Sequence, residues 1–289
     1  MCFQSNSNMS SNLRQPARGE TQPVLGQIQP YIIETVSRLS LISAFVRRDL
    51  GIKYSQSVLG VSWVLLQPVT GAVVFTFFFT QLFSWFQDIP IPYHLFAFSG
   101  YLCWLLFSQI IAVGGLSLVH EEQIIKKVYF PRILIPLAKC CAALVDFFIG
   151  LVVLIIISAF WKPMIIFNVP LIIPAVFLIM LNGLSIAIGL SVLTIRNRDL
   201  HHIIPYLINF GIWLTPVFFP SNIFPDEFRF VIDANPLAYS IELFRSLLFG
   251  TALPKLNVLI VSSQLIMFLA LMLGLVYFIK IDCKLSDYL

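Results

Sequence analysis

Residues 133–160 read ILIPLAKCCAALVDFFIGLVVLIIISAF, and only Lys139 and Asp146 carry a charge in this run of 28 residues. About 20 consecutive apolar residues are enough for an α-helix to cross the hydrocarbon core of a bilayer. A helix that is apolar on all sides must be surrounded by lipid or by other helices. This run therefore predicts a membrane-spanning helix, and it decides the fold class.

The composition of the whole chain supports the same prediction. Of 289 residues, 58% are hydrophobic and 11% are charged, and the mean hydropathy is +0.90. Soluble domains carry roughly 25% charged residues, so a water-soluble fold would lack polar side chains to cover its core. The net charge of +4 is too small to indicate a nucleic-acid partner. We therefore expect an all-α integral membrane protein.

Six apolar stretches are long enough to be transmembrane helices. The fifth is the shortest, and it contains Pro205 and Pro216, which predict a kink or a break. With six spans, 13 of the 18 Lys and Arg residues fall on the side of both termini, which predicts that both termini are cytoplasmic. The six stretches are residues 61–84, 93–119, 133–160, 169–194, 203–219 and 256–279.

The segment before the first span predicts an interface helix and not a seventh span. Within residues 31–52 the apolar residues recur three or four positions apart, and charged residues interrupt them. This pattern is typical of an amphipathic helix that serves as a simple anchor on a membrane surface. The alternative, that the helix also contacts a partner subunit, rests on the family resemblance given below. Residues 1–29, rich in Ser, Asn, Gln and Pro, are expected to be a disordered tail outside the transmembrane domain of residues 30–289.

The external segment 220–255 is too long for a turn and too apolar for a free loop. Asn235 offers an N-cap, Pro236 suits the first helical turn, and Gly250 offers a stop. Residues 237–249 therefore predict a helix of about 20 Å, which is too short to cross the membrane. We predict a re-entrant helical hairpin between the last two spans.

Ionisable residues are sparse within the predicted membrane region. Glu242 and Arg245 lie three positions apart on the hairpin helix, so they can neutralise each other. Lys139 and Asp146 lie on one face of the third span, about 10 Å apart along its axis. A charge at that depth is a candidate functional group, although a carboxylate satisfied by water or by a neighbouring helix is the plainer interpretation.

Motifs for catalysis are missing from the sequence. No glycine is followed by Lys and then Ser or Thr, so we expect no phosphate-binding loop and no ATP hydrolysis by this chain. The run His120-Glu121-Glu122-Gln123 lacks the second His of a zinc-protease motif, and the four histidines build no catalytic or metal site. We expect no catalytic residue, no bound cofactor and no metal.

Two cytoplasmic segments carry a resemblance to a known family. They are RRDLGIKYSQSVLG at residues 47–60, followed by LQP at 66–68, and IIKKVYFPR at 124–132. In combination they resemble the permease subunits of ABC exporters for O-antigen and related lipid-linked polysaccharides, the type-2 ABC exporter family. The resemblance covers nearly the whole chain after about residue 30, including Asn235 and Arg245 in the external hairpin.

The resemblance implies a homodimer in the bacterial inner membrane, with ATP and Mg bound by two separate ABC ATPase subunits. The implied substrate is a glycan on a polyprenyl diphosphate lipid, so the expected partners are the second copy, the ATPases, this substrate and membrane lipid. The short helix between spans two and three is implied to be the coupling helix, whereas the sequence alone favours a solvated loop with scattered charge. Its residues are Glu121, Glu122, Gln123, Ile124, Ile125, Lys126 and Lys127.

Three further groups are candidates for the substrate path. The cytoplasmic group attracts the lipid diphosphate or only sets topology. The external group is a candidate gate. The aromatic group stacks on sugar rings in a channel at the implied dimer interface, although Phe also fills ordinary helix surfaces. The groups are Arg47, Arg48, Lys53 and Tyr54; Asn235, Pro236, Glu242 and Arg245; and Phe75, Phe78, Phe79, Trp85, Trp104, Trp213, Phe218 and Phe219.

Other functions stay open from the sequence. The substrate could be teichoic acid, capsule, or a smaller lipid or drug. A membrane-embedded glycan transferase or ligase would need clustered acids, and only Asp146 lies within a predicted span. A secondary transporter is disfavoured because intramembrane charge is sparse and no internal repeat is visible.

Overall fold

The computed structural model describes residues 24–55, 62–82, 90–161, 163–221, 227 and 229–282, and the description below is confined to them. Within these ranges the chain is helical and has no β-strand, which confirms the predicted all-α class. The α-helices are α1 (Val24–Ser37), α2 (Ser40–Ser55), α3 (Ser62–Leu82), α4 (Tyr93–Gly115), α5 (Ser117–His120), α6 (Glu122–Lys127), α7 (Leu134–Trp161), α8 (Ile173–Arg196), α9 (Leu200–Gly211), α10 (Arg229–Asp233), α11 (Pro236–Phe249) and α12 (Val258–Asp282).

Four helical segments are long and apolar enough to cross a membrane, so the chain is a multi-pass membrane protein. They overlap the second, third, fourth and sixth predicted spans. The first predicted span corresponds to α3, whose apolar stretch Leu65–Phe78 has described side chains, and the fifth corresponds to the short apolar helix Leu200–Leu214. The described ranges therefore do not establish six long apolar spans. The four long segments are Tyr93–Gly115, Leu134–Trp161, Asn168–Arg196 and Val258–Asp282.

The fifth stretch is short because its helix stops before a proline. The α-helix α9 ends at Gly211, and one 3₁₀ turn, Ile212–Leu214, follows it. Thr215 then has an extended backbone, with φ −116° and ψ 137°, because the ring of the following Pro216 disfavours the helical region. The stretch predicted at 203–219 is thus interrupted after Leu214, on the N-terminal side of Pro216.

Helix α4 lies at the centre of the bundle and packs against α3, α7 and α8. Small residues let α4 and α8 approach closely, as is common between membrane helices. A side-chain carbon added at Gly183 would lie 3.1 Å from Cβ of Ile110, and one added at Gly114 would lie 3.2 Å from Cβ of Ala187. Helix α12 covers α8, and most of its other large apolar side chains are exposed, as expected of a surface that faces lipid.

The amphipathic segment is two helices and not the single helix predicted over 31–52. Helix α1 ends at Ser37, a turn follows at Arg38 and Leu39, and α2 begins at Ser40. Helix α1 contacts α12, whereas α2 packs along α7. The second half of the segment therefore lies against the helix bundle.

The external segment contains the short helix that the sequence predicted. The Oδ1 atom of Asn235 accepts a hydrogen bond of 3.0 Å from the backbone N–H of Leu237, and Gly250 ends α11 with a φ of 68°. The carbonyl oxygen of Pro236 also accepts a hydrogen bond of 2.7 Å from Gln264 on α12. Asn235 and Gly250 thus set the limits of α11, and Gln264 of α12 binds the first turn of α11.

Candidate functional site

The cytoplasmic site forms where α2 packs lengthwise on α7. Asp49 and Lys53 are one helical turn apart on α2, and Lys139 and Asp146 are two turns apart on α7. Each acid on one helix meets a lysine on the other: Asp49 contacts Lys139, and Asp146 contacts Lys53. The spacing of opposite charges on the two helices therefore fixes how they align.

Four side chains at this junction form a closed set of ion pairs, which we call the ionic ring: Arg48, Asp49, Glu121 and Lys139. The Nζ atom of Lys139 lies 2.6 Å from Oδ2 of Asp49 and 2.9 Å from Oε1 of Glu121. Arg48 closes the ring, because its Nη2 atom lies 2.8 Å from Oδ1 of Asp49 and also pairs with Glu121. Two cations and two carboxylates balance, so no net charge is buried.

The ionic ring joins three elements that the sequence separates. Arg48 and Asp49 lie on α2, Glu121 immediately precedes α6, and Lys139 lies on α7. The side chains of Lys139, Glu121 and Asp49 are only 11%, 12% and 16% exposed. Breaking a buried ion pair by removing one partner costs about 3–5 kcal/mol, so displacement of α6 away from α2 or α7 would be strongly opposed.

A second polar contact lies deeper along α7. Lys53 forms an ion pair with Asp146, and the hydroxyl of Tyr54 donates a hydrogen bond to the same carboxylate. Burial and the neighbouring Asp146 carboxylate raise the pKa of Tyr54 above its usual range, so its hydroxyl keeps the proton that it donates. The plainer interpretation of Asp146, a carboxylate satisfied by a neighbouring helix, is therefore what the structure shows.

Helix α6, within the segment expected to be the coupling helix, presents polar side chains and buries one apolar side chain. Ile125 is 5% exposed and packs in the core, whereas Gln123, Lys126 and Lys127 are exposed. Glu122 and Lys126 form an i,i+4 ion pair of 2.5 Å on the surface. Ile125 thus anchors α6 on the core, and the opposite face of the helix presents polar side chains.

The segment that follows α6 is held by the C-terminal end of α12. Asp282 accepts a hydrogen bond of 2.7 Å from the Tyr31 hydroxyl and forms an ion pair of 3.2 Å with Arg132. Arg38 donates a hydrogen bond of 2.8 Å to the carbonyl oxygen of Tyr129. The segment that follows α6 is therefore tied to α1 and α12.

The structure separates the four residues proposed for the lipid diphosphate. Arg48 belongs to the ionic ring, and Lys53 and Tyr54 are bound to Asp146. Arg47 is exposed and forms no ion pair with any described residue. The cluster is thus not a single free basic patch.

The candidate channel aromatics also divide into groups. Phe75 stacks on Phe218 with ring centroids 3.5 Å apart, and its ring lies 6.1 Å from that of Trp213. Trp104 and Phe218 are buried, at 6% and 3% exposure, whereas Phe78 and Trp213 are more than half exposed. Phe219 is half-buried; the side chain of Phe79 and the whole of Trp85 lie outside the described residues.

On the external side, Arg245 is bound by carbonyl oxygens and not by a carboxylate. It donates hydrogen bonds of 2.9 Å to Pro216, 2.6 Å to Val217 and 3.1 Å to Phe96, and its guanidinium lies over the Phe96 ring at 3.6 Å. The prediction that Glu242 neutralises Arg245 by pairing with it directly is therefore wrong.

Glu242 has a different partner, since it accepts a hydrogen bond from the hydroxyl of Ser221. Asn235 caps α11, and its Nδ2 atom lies 3.0 Å from Oγ1 of Thr215. Pro236 occupies the first turn of α11. The candidate gate residues are thus built into contacts between α11 and the segment after α9.

The family model described as ABC-2 type transporter matches residues 40–249, which include α2, α6, α7 and α11. The chain belongs to the ABC-2 type transporter family. Its relatives are named as permease proteins, so this chain is a transporter permease and not an enzyme.

Three relatives carry the same name, O-antigen export system permease protein RfbA. The Myxococcus xanthus protein is 27% identical over 217 residues, which cover 74% of this chain and 82% of that protein. One Klebsiella pneumoniae protein is 27% identical over 256 residues, covering 86% of this chain and 95% of that protein. A second Klebsiella pneumoniae protein is 27% identical over 216 residues, covering 72% and 79%.

Sequence reasoning missed several partners in this ABC-2 permease. No local pattern indicates that Asp49 contacts Lys139 or that Arg132 pairs with Asp282. The signal that was present was the seven-residue spacing of Lys139 and Asp146, which marks one face of α7 as polar. That spacing identifies the face but cannot identify the helix that covers it.

Proposed function

We propose that this chain is the membrane subunit of an ATP-driven exporter that moves a lipid-linked polysaccharide of the O-antigen type across the bacterial inner membrane. The observation that carries the proposal is the similarity to three O-antigen export permeases over 72% to 86% of the chain. The family's pairing with an ABC ATPase supports the energy source. Teichoic acid, capsule and smaller lipids remain the alternative substrates.

In this proposal the permease works as a homodimer with two ATPase subunits, which bind ATP and Mg. Residues 121–127 dock in a groove of the ATPase, and the exposed side chains of α6 supply the contact. Because the ionic ring connects Glu121 to α2 and α7, movement of α6 on ATP binding would move both helices together. The buried ring supports a rigid transmission and not a flexible loop.

The membrane arrangement that we propose has six crossings and cytoplasmic termini. Helix α3 and the short helix Leu200–Leu214 would complete the four long segments, and the positive-residue bias supports the orientation. Segment 220–255 would dip into the outer leaflet as a re-entrant hairpin. Asn235, Pro236, Glu242 and Arg245 would then form the external gate.

The substrate path that we propose runs along the dimer interface. The exposed rings of Phe78 and Trp213 are the aromatic candidates with free surface, and stacking on sugar rings would let a polymer slide. The lipid diphosphate would meet Arg47 first, since Arg48 and Lys53 are already paired. Buried Trp104 and Phe218 would support the path and not line it.

The deciding experiment is deletion of the gene in its own host, followed by detection of O-antigen on the cell surface. We expect loss of surface O-antigen, accumulation of polyprenyl-linked glycan in the inner membrane, and rescue by the wild-type chain. The matched control is rescue in a strain whose partner ATPase carries a substitution in its phosphate-binding loop, which should fail. Normal surface O-antigen in the deletion strain, or export by the chain without its ATPase, would refute the proposal.

A further inference from the structure

A cavity of about 390 Å³ lies between the end of α2 and the helices α3, α4 and α7. This volume is in the range of pockets that bind small ligands, about 300–1,000 Å³. Gln109 lies six residues before the end of α4, about 9 Å along the helix axis, and Asp146 lies about 18 Å from the start of α7. The cavity therefore reaches from the α6 side of the bundle to about the middle of α7.

Part of the cavity wall is polar, which is unusual inside a membrane bundle. Gln67 and Thr70 of α3, Gln109 of α4, and the pair of Lys53 and Asp146 line it. The side-chain amides of Gln67 and Gln109 form no hydrogen bond with any described residue. Gln67 is exposed and Gln109 is half-buried, so their amide groups are open to a ligand with hydrogen-bonding groups.

The charges of the cavity favour a neutral ligand. Lys53 is the one cation among the described lining residues, and Asp146 already neutralises it. A diphosphate would bring further negative charge close to the Asp146 carboxylate, which is repulsive in a low dielectric. A neutral group avoids this repulsion and leaves the ion pair intact.

The hydrogen-bonding groups match a sugar. Each glutamine amide offers both a donor and an acceptor, and the Asp146 carboxylate accepts hydrogen bonds from hydroxyls. Leu102, Leu105 and Phe147 form an apolar wall, which fits the C–H face of a sugar ring. Neighbouring hydroxyls on the ring would reach Gln67, Gln109 and Asp146 from its polar edges.

We propose that this cavity binds one or two sugar units of the glycan, next to its lipid carrier, before the glycan crosses the membrane. This inference rests on the proposed function, because it names where the permease holds its glycan. It makes Gln67 and Gln109 specificity-determining residues. The Lys53–Asp146 ion pair, which has no net charge, would form the base of the site.

Protection of a cysteine placed in the cavity tests the inference directly. Leu105→Cys keeps every polar lining group, and Val113→Cys, on the same helix but outside the cavity, is the matched control. The full complex with its ATPase, in lipid nanodiscs, is labelled with a maleimide, with and without oligosaccharide released from the strain's own surface polysaccharide. We expect labelling at position 105 to slow about tenfold at saturation, since a site occupied more than nine-tenths of the time blocks the reagent. Labelling at position 113 should not change.

Inorganic diphosphate is the second probe, and it should give no protection. Absence of protection by the oligosaccharide, or equal protection by diphosphate, would show the inference to be wrong. The labelling result does not depend on the outcome of the gene deletion. A cavity that binds no sugar can therefore be distinguished from a chain that does not export O-antigen.

A second measurement uses ATPase stimulation by polyprenyl diphosphate with and without one N-acetylhexosamine. In the double variant Gln67→Leu, Gln109→Leu, the concentration of the sugar-bearing lipid that gives half-maximal stimulation should rise about tenfold, from the loss of two neutral hydrogen bonds. Basal hydrolysis and the response to the sugar-free lipid should stay at wild-type values. An unchanged response to the sugar-bearing lipid, or an equal shift for both lipids, would contradict a sugar site.

Discussion

Lys139 and Glu121 form an ion pair of 2.9 Å that joins helix α7 to the residue immediately before α6. Both side chains are nearly buried, at 11% and 12% exposure, and Lys139 also binds Asp49 on α2 at 2.6 Å. One ammonium group thus connects two elements to the helix that carries it. In the proposed coupling, a displacement of α6 would reach α2 and α7 through this side chain and through Arg48.

Replacing Lys139 should therefore impair both stability and coupling. Lys139→Met leaves Asp49 and Glu121 with one cation between them, and removal of one buried partner costs about 3–5 kcal/mol. We expect a lower melting temperature in detergent and loss of ATP-driven export. Lys139→Arg, which keeps the charge, should retain most of both. Export at the wild-type rate by Lys139→Met would show that the ionic ring does not transmit force.

Exchange of the charges on α6 should separate docking from stability. The variant Glu122→Lys, Lys126→Glu keeps an i,i+4 pair, and such exposed pairs contribute only about 0.3–0.5 kcal/mol. Thermal unfolding should hardly change, whereas co-purification with the ATPase and stimulation of its hydrolysis should fall, because the polar face presented to the partner is reversed. Undiminished co-purification would contradict a docking role for α6.

Gly100 should not tolerate a side chain, because the Arg245 guanidinium occupies the space beside it. A Cβ atom at position 100 would lie 2.6 Å from the Val217 carbonyl oxygen and would overlap the guanidinium. Gly100→Ala should lower the melting temperature and weaken export. Gly189→Ala is the control, since a Cβ there meets nothing within 4 Å, and it should leave both unchanged. Equal behaviour of the two variants would contradict this packing.

Asn235 should stabilise α11 in two separable ways. Its Oδ1 atom caps the helix, which contributes about 1 kcal/mol, and its Nδ2 atom binds Leu214 and Thr215. Asn235→Ala should lose both contributions, whereas Asn235→Asp should keep the cap and lose the donor. We expect the melting temperature of the Asp variant to lie between those of the wild type and the Ala variant. Identical values for the two variants would assign the whole effect to Nδ2.

The proposed orientation can be checked with two exposed positions on opposite sides. In intact spheroplasts a membrane-impermeant maleimide should label Leu253→Cys, and it should label Ser43→Cys only after permeabilisation, because α2 is cytoplasmic in the proposed arrangement. Labelling of the unsubstituted chain gives the background of its native cysteines. Labelling of Ser43→Cys in intact spheroplasts would invert the orientation and remove α6 from the reach of an ATPase.

The sequence by itself determined the membrane class, the long spans such as Leu134–Trp161, and the limits of α11 at Asn235 and Gly250. These features depend on the length of an apolar run and on capping by residues close in sequence, so neighbouring residues are sufficient to predict them. Only the tertiary structure decided that Lys139 meets Asp49, 90 positions away, and that Arg245 binds the Phe96 carbonyl, 149 positions away, in place of nearby Glu242. A charged side chain within a bundle pairs with whichever group packing brings within about 3 Å, and packing is set by the contacts of whole helices.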